Sequence, residues 1–233
     1  MVTFNKNKKT KFIFIINGAP ESGKDTFIKC IKDYTRDDIM NISSIDIVKD
    51  MLNPIIGDRK GQNERKLLSS VKSALIEYDD FPTKYLMEKL ASFMIDDEMR
   101  MMFIHIREPK EIDKFIFQAK EIIYRYYKTN TEDEEELLLS SIRGDEPIAI
   151  IPARHDISIS TRFCLKTLYI SRPASLKQKL CPYDNESDDN VADYKYDHYF
   201  DNIYKDKESL FKAVRLWIDN MVEYYEHVDL HKL

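Results

Sequence analysis

A short apolar run that stops at a glycine turn and resumes as a Gly-Lys pair opening a helix leaves a chain few folds to choose from. Phe12-Ile13-Phe14-Ile15-Ile16 reads as a buried strand, Asn17-Gly18 as the turn that breaks it, and Gly23-Lys24 as the start of a helix. Gly18, Gly23 and Lys24 fit the spacing G-x-x-x-x-G-K-[ST] up to its last position. Glycines at those places let the backbone curl until its N–H groups face phosphate oxygens, and the helix adds the positive end of its dipole. Lys24 then supplies a mobile cation for the β- and γ-phosphates. The expected phosphate-binding residues are Gly18, Ala19, Ser22, Gly23, Lys24, Asp25 and Thr26. A strand–turn–helix corner with a chance glycine spacing is the plain alternative, and the agreement of strand, loop and helix context weighs against it. Asp25 departs from the pattern, standing where Ser or Thr holds Mg²⁺. Either Asp25 takes the metal, directly or through water, or Thr26 does.

The chain has 233 residues, 43% of them hydrophobic, which suits one sizeable α/β domain spanning 1–233. Its net charge of −5 argues against a general nucleic-acid binder. Three widely separated cysteines, Cys30, Cys164 and Cys181, include no C-x-x-C pair, so neither zinc nor a disulfide frame is expected and a reducing cytoplasm is the simple reading. Lys6, Lys8, Lys9 and Lys11 precede an apolar run too short for a secretory signal, and read as a solvated flank. No stretch is long enough to span a membrane, so no membrane partner is expected.

The periodicity continues in alternation. A helix is expected to about Tyr34, a second strand over Ile39 to Ile45, and an element from Val48 stopped by Asn53-Pro54. Glu64 to Tyr78 reads as an amphipathic helix with Leu67, Leu68, Val71, Leu75 and Tyr78 on its apolar face, and Arg65 and Lys72 projecting elsewhere. Thr83 is placed to cap a helix carrying Leu86, Leu90, Phe93 and Met94. Met101 to Ile106 is the third strand, and Pro109 starts a helix with Ile112, Phe115, Ile116, Ala119, Ile122, Ile123 and Tyr126 as its buried stripe. Residues 128–147 are the least orderly and include the acidic run Glu132 to Glu136, and Ile148 to Ile151 reads as an extra strand or a hairpin arm ending at Pro152. Leu165 to Ser171 is the fourth main strand and Tyr199 to Ile203 the last. Ser209 is placed to cap a final helix with Leu210, Val214, Trp217, Ile218, Met221 and Tyr225 inward. Strands alternating with helices behind a phosphate loop give a three-layer P-loop sandwich with a mainly parallel five-stranded sheet.

No guanine-selective N-K-x-D sequence is present, nor an apolar run ending in Asp-Glu, and both absences favour a kinase over a switch or a mechanical ATPase. Gly23-Lys24-Asp25-Thr26 resembles the variant loop of phage-type deoxynucleoside monophosphate kinases and of the animal phosphomevalonate kinases near them. Arg107-Glu108-Pro109-Lys110-Glu111-Ile112 is similar to the strand–Arg–helix corner of that group, Ser171-Arg172-Pro173 to its lid entry, Ser187 to Val191 to its polar lid motif, and Tyr196 to Asn202 to its terminal strand. The resemblance is scattered over most of the chain and weak across 128–165, which looks like an insertion. It implies a nucleoside-monophosphate-kinase-like fold, ATP and Mg²⁺ as cofactors, a lid over about 172–195, and a monomer or homodimer. Two features depart from it. The insertion is one. The other is the pair His105-Ile106 before Arg107, where the group often has Asp, which leaves Asp46 or Glu108 to supply an acid.

Phosphoryl transfer is mostly positioning and charge neutralisation, so arginines at strand ends near the loop are expected to meet phosphates. Lys24, Arg107 and Arg172 are the expected catalytic residues, weighed for the arginines against plain surface ion pairs. Asp46, Arg65 and Lys72 are the expected contacts to the acceptor, weighed against exposed helical charges. The activity expected is ATP-dependent phosphorylation of a phosphate-bearing small molecule, a (deoxy)nucleoside monophosphate above others. The competing class is a nucleotide-binding regulatory or interaction protein without kinase turnover.

Overall fold

A computed structural model describes residues 10–36, 38–57, 59, 61–131, 161–173, 191 and 193–227. The elements run β1 (Thr10–Asn17), α1 (Lys24–Thr35), β2 (Ile39–Ser43), α2 (Asp46–Ile56), α3 (Gln62–Asp79), α4 (Phe81–Ile95), β3 (Met101–His105), α5 (Pro109–Thr131), β4 (Arg162–Ser171), β5 (His198–Asp201) and α6 (Lys207–His227). The five strands form one parallel sheet in the order β2-β3-β1-β4-β5. No helix among the described residues is long and apolar enough to cross a membrane.

The chain divides into two compact units. The first comprises Met1–Asn41, Asp97–Ile112 and Asp156–Leu233, the second Ile42–Asp96 and Asp113–His155. In the first unit, β1 hydrogen-bonds to a neighbour on each side, so its backbone is fully paired and its side chains are buried on both faces. Phe12, Phe14 and Ile16 form one core cluster with Phe27, Ile28 and Ile31 of α1 and Leu210, Val214, Ile218 and Met221 of α6. Ile13, Ile15, Met102 and Ile104 alternate onto the opposite face and are equally buried. A sheet buried on both faces and flanked by helices is compatible with a three-layer sandwich. Phe27 seats the helix that follows the loop. Its ring lies 4.8 Å from Phe200 and 5.2 Å from Trp217, both edge-on.

In the second unit α2, α3 and α4 pack on one another. Leu86, Leu90, Phe93 and Met94 of α4 are buried as their spacing requires. Asp80 adopts a left-handed φ of 51°, ending α3 and starting α4. Thr83 is therefore not the cap but lies inside the first turn, where its hydroxyl donates to Asp80 Oδ1 at 2.8 Å. Helix α5, beginning at Pro109, buries Ile112, Phe115, Ala119, Ile122 and Tyr126.

Other expectations need correction. Lys11 is not in a solvated flank: β1 starts at Thr10, and Lys11 is 1% exposed. Pro54 does not stop the second helix, because it falls in the last turn. Few carbonyls remain beyond it, and Gly57 N–H and the Arg59 guanidinium reach those of Asn53, Ile55 and Ile56. On α3, Leu68, Val71 and Leu75 of the expected face are half-buried while Leu67 and Tyr78 are exposed, and Lys72, expected to project elsewhere, is buried. The last helix begins at Lys207, capped by Asp206 rather than Ser209. The Asp206 carboxylate accepts from the Ser209 N–H and hydroxyl, both at 2.8 Å, and these bonds hold its pKa below the usual range. Most of the 128–165 segment and of the 172–195 lid lies outside the described residues.

Candidate functional site

The loop from Gly18 to Gly23 leaves the carboxyl end of β1, the edge where parallel sheets bind ligands. Its two glycines are required by geometry. Gly18 has φ +146°, and a Cβ there would stand 2.2 Å from Ile170 O of β4. Gly23 has φ +93°, and a Cβ would stand 2.4 Å from Asn202 Nδ2. Between them Glu21, a non-glycine, is held at φ 62°, a strained conformation of the kind that collects at functional sites. Ser22 N–H closes the turn on Ala19 O at 3.1 Å.

Lys24 folds back over this loop. Its Nζ donates to Gly18 O at 2.6 Å, to Ala19 O at 2.9 Å and to Ser22 Oγ at 3.4 Å. Gly23 at the N-cap has no side chain with which to cap α1, so the helix's dipole end faces the same loop as the Lys24 ammonium. The arrangement can hold an anion: a curled backbone, a helix N-terminus and one cation converge within a single turn. Asp25 and Thr26 follow on α1, both exposed. Asp25 also has a structural use, since an acid in the first turn complements the dipole.

Asn17 ties the root of the loop to its neighbours. Its Oδ1 accepts from Gly18 N–H at 2.8 Å, and its Nδ2 donates to Arg107 O at 2.9 Å. Nearby, the Tyr196 hydroxyl donates to Val191 O at 3.0 Å. Burial holds the Tyr196 phenol well above its ordinary pKa. Arg107 thus stands at the loop root through its backbone, with its side chain exposed. Arg172, also exposed, brings Nη1 to 3.5 Å from Glu21 O, at the outer limit of a hydrogen bond. The first unit therefore brings Lys24, Arg107 and Arg172 to one sheet edge, at the ends of β1, β3 and β4.

Asp46, Arg65 and Lys72 belong to the second unit. Asp46 opens α2, where Oδ2 accepts from Ser43 N–H at 2.7 Å and Oδ1 pairs with Lys49 at 2.8 Å. Burial, then Asp46 and Asp50, push the Tyr85 phenol up. Arg65 is exposed on α3 and Lys72 is buried there, 8% exposed. His105 fills the position before Ile106-Arg107, and its Nε2 lies 2.8 Å from Asn41 Oδ1. An imidazole bonded to an amide thus stands where an acid was looked for.

No protein-family model matches the chain, and no curated protein sequence matches it. Among the described residues, no cluster of three or more His, Cys, Asp or Glu side chains could hold a metal by itself. Asp25 and Thr26 still fit a Mg²⁺ ion bound mainly by substrate phosphates and water, because such sites need only one or two protein oxygens. In the sequence Asn17 reads as half of a turn and Asn202 as part of the last strand, and neither reading gives it a role in the loop. The available signal was their position. Each is a buried polar residue at the carboxyl end of a strand, where nothing apolar accounts for it.

Proposed function

We propose that the chain is an ATP-dependent phosphotransferase acting on a phosphorylated small molecule, a (deoxy)nucleoside monophosphate. The observation that carries this reading is the loop itself, with Gly18 and Gly23 at positive φ, an uncapped α1 N-terminus, and Lys24 bent back across them. That constellation suits a polyphosphate rather than a single small anion, because the cation and the helix end address successive phosphates. The loop amides and Lys24 hold the β- and γ-phosphates. Arg107 and Arg172 neutralise charge on the phosphoryl group and on the acceptor phosphate. An acceptor oxygen forms the new bond to the γ-phosphorus as its bond to the bridging oxygen of ADP breaks. Asp25 or Thr26 would hold Mg²⁺, which would supply charge neutralisation for the phosphates. On the second unit, Arg65 is assigned to acceptor recognition ahead of Lys72, which is buried, and Asp46, which is engaged with Ser43 and Lys49.

A second reading, a nucleotide-binding regulatory protein without phosphoryl transfer, draws on one observation: His105 occupies the place of the acid found in the kinases the chain resembles. Release of ADP, followed by a coupled assay over a panel of nucleoside monophosphates and other phosphorylated metabolites, tests the first against the second. Acceptor-dependent turnover is the expected result. ATP binding with no turnover on any acceptor favours the regulatory reading.

A further inference from the structure

Asn202 lies just beyond β5 and is 5% exposed. Its Nδ2 donates to Ser22 O at 2.9 Å, and its own backbone N–H donates to Ser171 O at 2.8 Å. Since Ser22 O can only accept, the amide nitrogen must face it, which leaves Oδ1 buried with no donor among the described residues. A buried acceptor without a partner is unfavourable. An apolar side chain of similar size would remove that acceptor only by leaving Ser22 O without its donor, so the position is explained by what Nδ2 does.

The planar trans peptide makes that consequence specific. The carbonyl of Ser22 and the N–H of Gly23 belong to one peptide unit and point in opposite directions. Holding Ser22 O down onto the buried Asn202 therefore turns the Gly23 N–H away from it. Gly23 makes the contact possible, because a Cβ there would meet Nδ2. The same segment of β4 that anchors Asn202 leads directly into Arg172, which reaches Glu21 O on the loop.

We infer that Asn202 is a positioning residue of the loop, fixing the Ser22–Gly23 peptide so that the Gly23 N–H is presented to a bound phosphate before the nucleotide arrives. The inference rests on the phosphate-binding reading above and assigns that site a residue from the far end of the chain. Its test is ATP binding with Mg²⁺ by calorimetry to the full chain and to Asn202→Leu, alongside thermal unfolding of both. Asn202→Leu should bind ATP about tenfold or more weakly, the size of one lost hydrogen bond to a charged group. Its melting temperature should stay within a few degrees of wild type, because the substitution exchanges one unpaired buried acceptor, Asn202 Oδ1, for another, Ser22 O. A merely structural role gives the reverse: a lower melting temperature with unaltered affinity in the folded protein, and that result overturns the inference. A second measurement needs no variant. Amide exchange at Gly23 in the wild-type chain should slow when ATP is added. No change at Gly23 while Lys24 slows would also overturn it. If the wild-type chain binds no ATP, the proposed function falls and this inference with it; if it binds and Asn202→Leu matches it, only this inference falls.

Discussion

Helix α1 and helix α3 are both charged and both carry apolar residues at helical spacing, yet only α1 buries its apolar stripe fully. On α1 the apolar residues Phe27, Ile28 and Ile31 go inward and Lys29, Lys32 and Asp33 go out. On α3 Lys72 is buried and Leu68, Val71 and Leu75 are half-buried, while Leu67 is 38% exposed and Tyr78 85% exposed. The two helices differ in what surrounds them. Helix α1 lies on a sheet and against α6, so one stripe decides its position. Helix α3 lies among helices in the second unit, where no single face has to meet a sheet. The hydrophobic pattern of a helix predicts its burial only where an apolar layer exists to receive it.

The contrast can be broken most forcefully at Phe27. Truncation to Ala removes a ring packed on Phe200 and Trp217, and should cost about 3–5 kcal/mol, read from denaturant unfolding. A loss below about 1 kcal/mol would mean that α1 does not depend on that stripe. Next is Gly18→Ala, where the added Cβ meets the Ile170 carbonyl and the backbone must leave φ +146°. Strain and clash together should cost about 2–4 kcal/mol, with nucleotide binding lost as the loop shifts. Wild-type stability in that variant would show that the loop root is free to move.

A third effect is a pH dependence within the first unit. His198 is packed against Trp217 and Tyr225, its Nε2 2.9 Å from the Tyr225 hydroxyl, and burial holds its pKa below the ordinary histidine value. Between that ordinary value and the lower folded one, the unfolded chain binds the proton and the folded chain does not. Stability should therefore fall as pH drops through this window and stay level, for this group, below it. Thermal melting at pH 7.5 and 5.5 should show a larger loss in the wild type than in His198→Gln; equal losses would remove His198 as the cause. The smallest effect is expected on α3, where Tyr78→Ser should change stability by no more than about 0.5 kcal/mol. A loss above about 1 kcal/mol would place Tyr78 in a covered surface and weaken the contrast between the helices.

The parts of the molecule that were legible in the sequence are those where one interaction dominates. The run Phe12 to Ile16 is buried on both faces, so its position follows from hydrophobicity alone. The Gly18 and Gly23 spacing gave the loop because only glycine reaches those φ values without strain. Local propensity was not enough where short-range alternatives compete. Asp206 and Ser209 are both good caps, and the structure uses the earlier one with the later as its partner. Pro54 breaks a helix only when enough helix remains beyond it to be broken. The residues of the site that were not legible, Asn17 and Asn202, act through long-range contacts to Arg107 and Ser22, across 90 and 180 residues of chain. Composition and period carry no trace of such pairings, because nothing local distinguishes a clamp from a turn.

We propose that Lys24 serves a bound polyphosphate and not the fold. Lys24 lies at the protein surface, half-buried, with the loop carbonyls as partners, so its loss leaves the apolar core untouched. Comparison of Lys24→Ala with wild type, by ADP release in the presence of the best acceptor and by thermal melting, addresses this directly. The expected result is a variant that melts within a few degrees of wild type with transfer reduced about 10²–10³-fold or more, the scale for removing one preorganised charge donor from a transition state. A folded Lys24→Ala protein that transfers phosphate at the wild-type rate would contradict the account.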